Sequence, residues 1–157
     1  HQFLRFNGTV TRLQDLMIPN VTLFLSGTLQ ASPEPLLASE EFTIGGGSFG
    51  RAYDAGELAG DRGYAGVAEL RYAGEVSSDL LQSYELYTFI DYGKVKNSRP
   101  VAGEVAEDSA SSAGLGTRFN MAHDMSGYVE FDSPLNKVVS AEGDDDSRLF
   151  FNILKRF

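Results

Sequence analysis

The chain has 157 residues, a formal net charge of -9 and a sequence pI of about 4.6, which excludes the clustered Lys and Arg that nucleic-acid phosphates require. It has no cysteine, so disulfides and thiolate metal sites are excluded as well. No stretch approaches the roughly 20 consecutive apolar residues of a membrane helix. Seventeen glycines, seven tyrosines and eleven phenylalanines without a tryptophan lean toward β structure. No secretory leader is visible and residue 1 is His, so a processed or excised piece of a longer protein is expected.

Period-2 alternation predicts seven strands in chain order. In 3–12, Leu4, Phe6, Gly8 and Val10 share one face and Arg5, Asn7, Thr9 and Thr11 the other. In 21–31, Val21, Leu23, Leu25, Gly27 and Leu29 oppose Thr22, Ser26, Thr28 and Gln30. In 64–75, Tyr64, Gly66, Ala68, Leu70 and Tyr72 oppose Glu69 and Arg71. In 84–95, Tyr84, Leu86, Ile90 and Tyr92 oppose Glu85, Tyr87, Phe89 and Asp91. In 112–120, Ala113, Leu115, Thr117 and Phe119 oppose Arg118 and Asn120. In 127–133, Gly127, Val129 and Phe131 oppose Tyr128, Glu130 and Asp132. In 148–157, Leu149, Phe151, Ile153 and Phe157 oppose Arg148, Asn152 and Arg156.

A soluble β-sandwich shows the same alternation, with its apolar face in a dry core. Two features favour a lipid-embedded barrel. The polar face carries Arg, Glu, Asp and Asn along whole strands, while the apolar face has aromatics near its ends. The connections also alternate: 16–20, 76–81 and 121–126 are short, whereas 33–62, 97–110 and 134–147 are long. Short turns on one side and long loops on the other is the layout of outer-membrane barrels. The expected fold class is all-β, an antiparallel transmembrane β-barrel portion of about seven strands with one long inward-folding loop.

The longest connection holds Glu41-Phe42-Thr43-Ile44-Gly45-Gly46-Gly47-Ser48-Phe49-Gly50-Arg51-Ala52-Tyr53. Gly60-Asp61-Arg62-Gly63-Tyr64-Ala65-Gly66 and Glu69-Leu70-Arg71 follow it. A glycine-rich run that delivers one arginine between aromatics, then enters a strand carrying Glu-Leu-Arg, resembles the sixth loop and next strand of barrels in the Omp85/TpsB superfamily. It is most similar to the haemolysin-activator (ShlB/FhaC-like) type of two-partner secretion transporter.

The resemblance implies that this loop folds back into the pore and that its tip matches a Val/Ile-Arg-Gly-Tyr/Phe motif. Arg51 and Tyr53 align with it. Ala52 stands where the family has Gly, and Gly50 where it has a β-branched residue. Gly45, Gly46 and Gly50 are the candidate loop glycines, and Gly50 is able to take over the positive φ that the missing family Gly would adopt. The family arginine meets an inward acid in a Phe-x-Asp motif, here Phe89-Ile90-Asp91. Alternation independently puts Asp91 and Glu69 on the polar face. The expected pair is Arg51–Asp91, with Glu69 as second partner, since a guanidinium fork suits a carboxylate and a loop of about thirty residues needs a pin. The terminal run with Phe151, Ile153 and Phe157 resembles the insertion signal read by the barrel-assembly machinery.

The whole chain, 1–157, is then expected to be the C-terminal part of an outer-membrane barrel, with the upstream strands and two soluble POTRA domains absent. Seven strands do not close a single-chain bacterial barrel, and an open edge in lipid leaves backbone groups unsatisfied. Self-association is one expected behaviour of the chain alone. The implied function is translocation of a large partner exoprotein (haemolysin or adhesin) across the bacterial outer membrane, with lipid as a further partner, no cofactor and no catalytic residue. An outer-membrane protein insertase of the same superfamily and a soluble β-sandwich binding module are the alternatives.

Other motifs carry less. Gly45-x-Gly47-x-x-Gly50 fits a dinucleotide fingerprint formally but no helix follows. Asp144-Asp145-Asp146 lacks the spacing of an EF-hand. His1 and His123 are the only histidines, too few for a credible metal or hydrolase triad.

Overall fold

The computed structural model describes residues 4–100 and 105–157. Residue 3 of the first expected strand and residues 101–104 of the second long connection that follows 84–95 lie outside the described residues. Nine strands are described: β1 (Phe6–Asp15), β2 (Val21–Ala31), β3 (Phe42–Ile44), β4 (Leu58–Gly60), β5 (Arg62–Glu75), β6 (Leu81–Lys96), β7 (Glu107–Met121), β8 (Met125–Pro134) and β9 (Arg148–Lys155). Seven form one antiparallel sheet in the order β1-β2-β5-β6-β7-β8-β9, and β3 and β4 form a hairpin inside the long loop. The seven expected strands are thus the seven strands of the sheet. The small hairpin was not expected from the sequence, because two runs of three residues are too short to show a period.

Tight turns close the strands at one end. Asn20, His123 and Asp124 adopt positive φ there, at 64°, 61° and 55°. Two consecutive such residues, His123 and Asp124, lie in the three-residue turn 122–124 that joins the paired Met121 and Met125. The β7–β8 register follows from it, Met121 opposite Met125 and Gly116 opposite Glu130.

The apolar face of the sheet is exposed. Leu70, Leu86, Ile90, Leu115, Phe131 and Phe151 all point to the outside. Tyr64 and Tyr92 pair at one end of this face with ring centroids 6.2 Å apart, and Tyr72 and Tyr84 at the other, 6.4 Å apart. The eight residue steps from Tyr64 to Tyr72 span roughly 26 Å along the strand. At the tilt of about 35–45° that barrel strands have, this gives an apolar band about 20 Å tall bounded by aromatics, close to that of a lipid-facing barrel wall. A soluble sandwich would bury this face against a second sheet; among the described residues no such sheet covers it.

The buried groups lie on the opposite face, and the loop supplies four of the eleven buried apolar residues described. Ile44, Ala52, Tyr53 and Leu58 of the loop pack with Val95, Ala110 and Val139, flanked by Phe42. Nearer the middle of the sheet, Val67, Tyr87 and Phe89 pack with Phe24 and with Phe49 of the loop. The wall makes room: a Cβ on Gly93 of β6 would lie 2.5 Å from Cδ1 of Ile44, which would have to shift to accommodate it.

Candidate functional site

The tip of the long loop is shaped by its glycines before any charge is considered. Gly45, Gly46 and Gly50 have φ of 115°, 88° and 71°. A Cβ on Gly45 would stand 1.9 Å from the carbonyl oxygen of Asp54, so the turn can close only on glycine. Backbone bonds then cross the tip: Gly45 N–H to Phe49 O (2.9 Å), Gly46 N–H to Tyr53 O (3.0 Å) and Tyr53 N–H to Gly50 O (2.9 Å). Positive φ falls at Gly50, one residue before the arginine, and Ala52 is fully buried in the loop core.

This frame aims Arg51 at the inner wall. Its guanidinium donates from Nη1 to Glu69 Oε2 at 2.8 Å and to Glu130 Oε2 at 3.3 Å, and lies 4.2 Å from the ring centroid of Phe89. Asp91 is engaged differently. Its Oδ2 accepts the main-chain N–H of Arg51 at 3.2 Å, and its Oδ1 accepts the hydroxyl of Ser112 at 2.6 Å. The side-chain partner of Arg51 is therefore Glu69, while Asp91 holds the same residue by its backbone. The reason lies in the register. Asp91 stands one row nearer the long-loop end than Phe89 and Glu69, which face each other across β5 and β6. A side chain as long as arginine overshoots Asp91 and reaches the row beyond.

Glu69 is the centre of the charge network. It is 0% exposed and accepts from three arginines: Arg51, Arg71 Nε at 2.7 Å, and Arg118 at 2.9 and 3.2 Å. Arg118 also donates to Glu85 at 2.6 Å and stacks 3.8 Å above the Tyr87 ring; Arg71 stacks 4.2 Å above Phe24. Tyr87 donates its hydroxyl to Glu130 at 2.5 Å. Each guanidinium thus has a carboxylate at its edge and a ring at its face, which fixes both its position and its plane. The Arg51 and Glu69 side chains are 9% and 0% exposed, well removed from the exposed pairs whose net worth is near zero.

Tyr53 anchors the other flank of the tip. Its hydroxyl lies 3.1 Å from Ser111 O, 3.2 Å from Lys137 O and 3.3 Å from Asn136 Oδ1. Burial raises the phenol above its ordinary value, so it remains a donor. Arg148, the first residue of β9, donates to the carbonyl of Ala52 at 3.2 Å and to Asp54 at 2.8 Å. The loop is in this way held by β5, β6, β7, β8 and β9 together. Phe151 and Ile153 lie on the outer face of β9 opposite Val129 and Gly127, and Phe157 is fully exposed beyond the strand, with the Lys155 ammonium 5.0 Å from its ring.

The sequence expectation missed Glu130, Arg71, Arg118, Tyr87 and Arg148 as members of the site. Alternation had already put them on the polar face, but convergence on one point is set by register, which the sequence does not print. Among the described residues there is no group of three or more His, Asp and Glu that would hold a metal ion.

An open antiparallel sheet, lipid-facing on one side and charged on the other, with a glycine-built loop pinned to the charged side, defines the wall of an outer-membrane β-barrel with an inward-folding loop. The family of haemolysin secretion/activation proteins ShlB/FhaC/HecB matches over residues 1–119, and the chain belongs to that family. Its members are outer-membrane transporters of two-partner secretion in Gram-negative bacteria, and this chain is an outer-membrane protein of that kind. The match takes in the loop, Glu69, Asp91 and most of β7 and ends before β8 and β9. No curated protein matches the chain.

Proposed function

We propose that this chain is the C-terminal part of a larger barrel whose pore carries one large partner exoprotein to the cell surface, and that residues 33–62 are its plug. The observation that carries the reading is the contact of Arg51 with Glu69, in which a loop tip is fastened to the inner wall by a pair withdrawn from solvent. A loop of this length loses much conformational entropy when ordered, and a network of charge-assisted bonds offsets that cost. The same bonds, being between wall and plug, can be exchanged for bonds to a passing chain.

Below the plug, toward the short turns, the polar face forms a concavity of about 860 Å³ whose lining includes Glu75, Glu85, Arg118, Asn120, Tyr128 and Asn152. Such a surface suits an extended, hydrated polypeptide. Among the described residues, the edge strands β1 and β9 each have one side without a partner strand. Because a bilayer cannot satisfy the backbone groups of an edge, both pair with further strands of the full barrel, or with a second copy when the chain is alone. Phe151, Ile153 and Phe157 serve as the signal that hands the last strand to the barrel-assembly machinery.

The test uses the full-length protein in cells that make the exoprotein encoded beside it. Removal of the transporter should leave the exoprotein in the periplasm, and its return should restore the exoprotein to the medium. Equal amounts in the medium with and without the transporter would refute the reading. Loss of outer-membrane proteins in general on removal would point to an insertase instead.

A further inference from the structure

Among the described residues, three buried side-chain polar atoms have no hydrogen-bond partner: Nε of Arg51 and both carboxylate oxygens of Asp132. One is a donor on the plug, and the other two are acceptors on the wall it faces. Asp132 is 0% exposed. A buried carboxyl group set beside another acid, Glu130, with no cation on it is costly enough to call for an explanation.

Register supplies one. Glu69 lies opposite Phe89, Phe89 opposite Gly114, and Gly114 opposite Asp132. The four make a single row across β5, β6, β7 and β8 on the inner face, with a carboxylate at each end. The Arg51 guanidinium rests over the Phe89 ring within this row and bonds toward the Glu69 end. At the other end, Phe89 and Asp132 meet above Gly114: a Cβ there would lie 2.6 Å from Cε1 of the ring and 2.3 Å from Oδ1 of Asp132. Asp132 sits beside the very ring that carries the guanidinium.

We propose that Asp132 is a second seat for Arg51, so that the plug has two docked positions on the wall, one on Glu69 and one on Asp132, with Phe89 as the platform between them. This rests on the reading of residues 33–62 as a plug. The ring face attracts a guanidinium without a directional bond, so it permits sliding. When Arg51 leaves, Glu69 keeps Arg71 and Arg118, and no charge is orphaned on that side. Glu130, two residues before Asp132 on the same face of β8, accepts from Arg51 in the first seat and stands beside the second. In the second seat the main-chain N–H of Arg51 leaves Asp91, which keeps the Ser112 hydroxyl. The move carries the tip by about one strand spacing, roughly 5 Å, away from β5. Asp132 is thereby a positioning residue: it acts on the pore through Arg51.

The test measures the distance from plug to wall in the full-length protein in lipid nanodiscs. Spin labels are attached at Gly47→Cys, where an added Cβ meets no atom within 4 Å, and at Leu25→Cys on the outer face of β2. This chain contains no other cysteine. Pulsed electron-spin measurements should find that Glu69→Gln shifts the distribution to a distance longer by about 5 Å. Asp132→Asn should remove that longer population, and should have no effect once Arg51→Ala is present. A distribution unmoved by Glu69→Gln overturns the proposal, as does a response to Asp132→Asn that is the same with and without Arg51. Should Asp132→Asn fail to fold, the Glu69→Gln comparison decides by itself. The readout needs no exoprotein, so failure of the second seat and failure of the secretion reading are separately visible.

Discussion

Replacing Glu69 by Gln tests the charge network at its centre. The substitution keeps the size of the side chain and removes the charge that three guanidiniums share. It also turns an amide N–H₂ toward at least one of those donors, where an acceptor oxygen now stands. Breaking a buried ion pair by removing one partner costs about 3–5 kcal/mol, and losing a single bond to a charged group costs about 1.5–3. Arg118 and Arg71 have side chains 38% and 22% exposed and recover some hydration, whereas Arg51 at 9% recovers little. The expected loss is therefore about 3 kcal/mol, between the two limits and equal to roughly a hundredfold in the folding equilibrium. Urea-driven unfolding of the full-length protein in detergent, followed by the gel mobility of folded and unfolded barrel, reads it directly. A loss under about 0.5 kcal/mol, the size of an ordinary surface substitution, would refute the network as a buried structural unit.

Two further perturbations separate the loop from the wall. Gly45→Ala must place a Cβ 1.9 Å from the Asp54 carbonyl at a φ of 115°, so the tip should come apart at a cost of about 1–3 kcal/mol, whereas Gly47→Ala next door should be neutral; limited proteolysis of the loop on intact cells compares them, and equal cleavage of the two variants would count against the described tip. On the outer face, Leu115→Arg should destabilise the barrel by about 2–4 kcal/mol in lipid, read by urea titration in vesicles, and a neutral result would mean that this face does not meet hydrocarbon.

The strands were legible because each carries its own signal: in β6, Leu86, Ile90 and Tyr92 alternate with Tyr87, Phe89 and Asp91 strictly enough to fix both faces. Their ends were less so. β7 begins at Glu107 rather than near residue 112, because Glu107 to Ser111 holds mostly polar residues that alternate with nothing apolar, and it is held there by the partner strand, with Lys94 and Lys96 bridging to Glu107. Within the site, alternation put Glu69 and Asp91 on the polar face and the family resemblance singled out Arg51, but neither says who holds whom. The tight turn at residues 122–124 fixes the β7–β8 register and would have aligned Gly116 with Glu130. The long connection between β6 and β7 gives no such handle, so the row that joins Glu69, Phe89 and Asp132 emerges only in three dimensions. Arg148 was farther still from view, as its contacts with Ala52 and Asp54 close a separation of more than ninety residues.

The most direct test of the central claim is export by full-length protein carrying Arg51→Ala, in cells that produce the neighbouring exoprotein. Heat-dependent gel mobility first establishes that the variant is a folded barrel in the outer membrane. The account predicts that the folded variant leaves the exoprotein inside the cell, because the plug is no longer held where a passing chain can exchange with it. Export at the wild-type level by a folded Arg51→Ala barrel would contradict it.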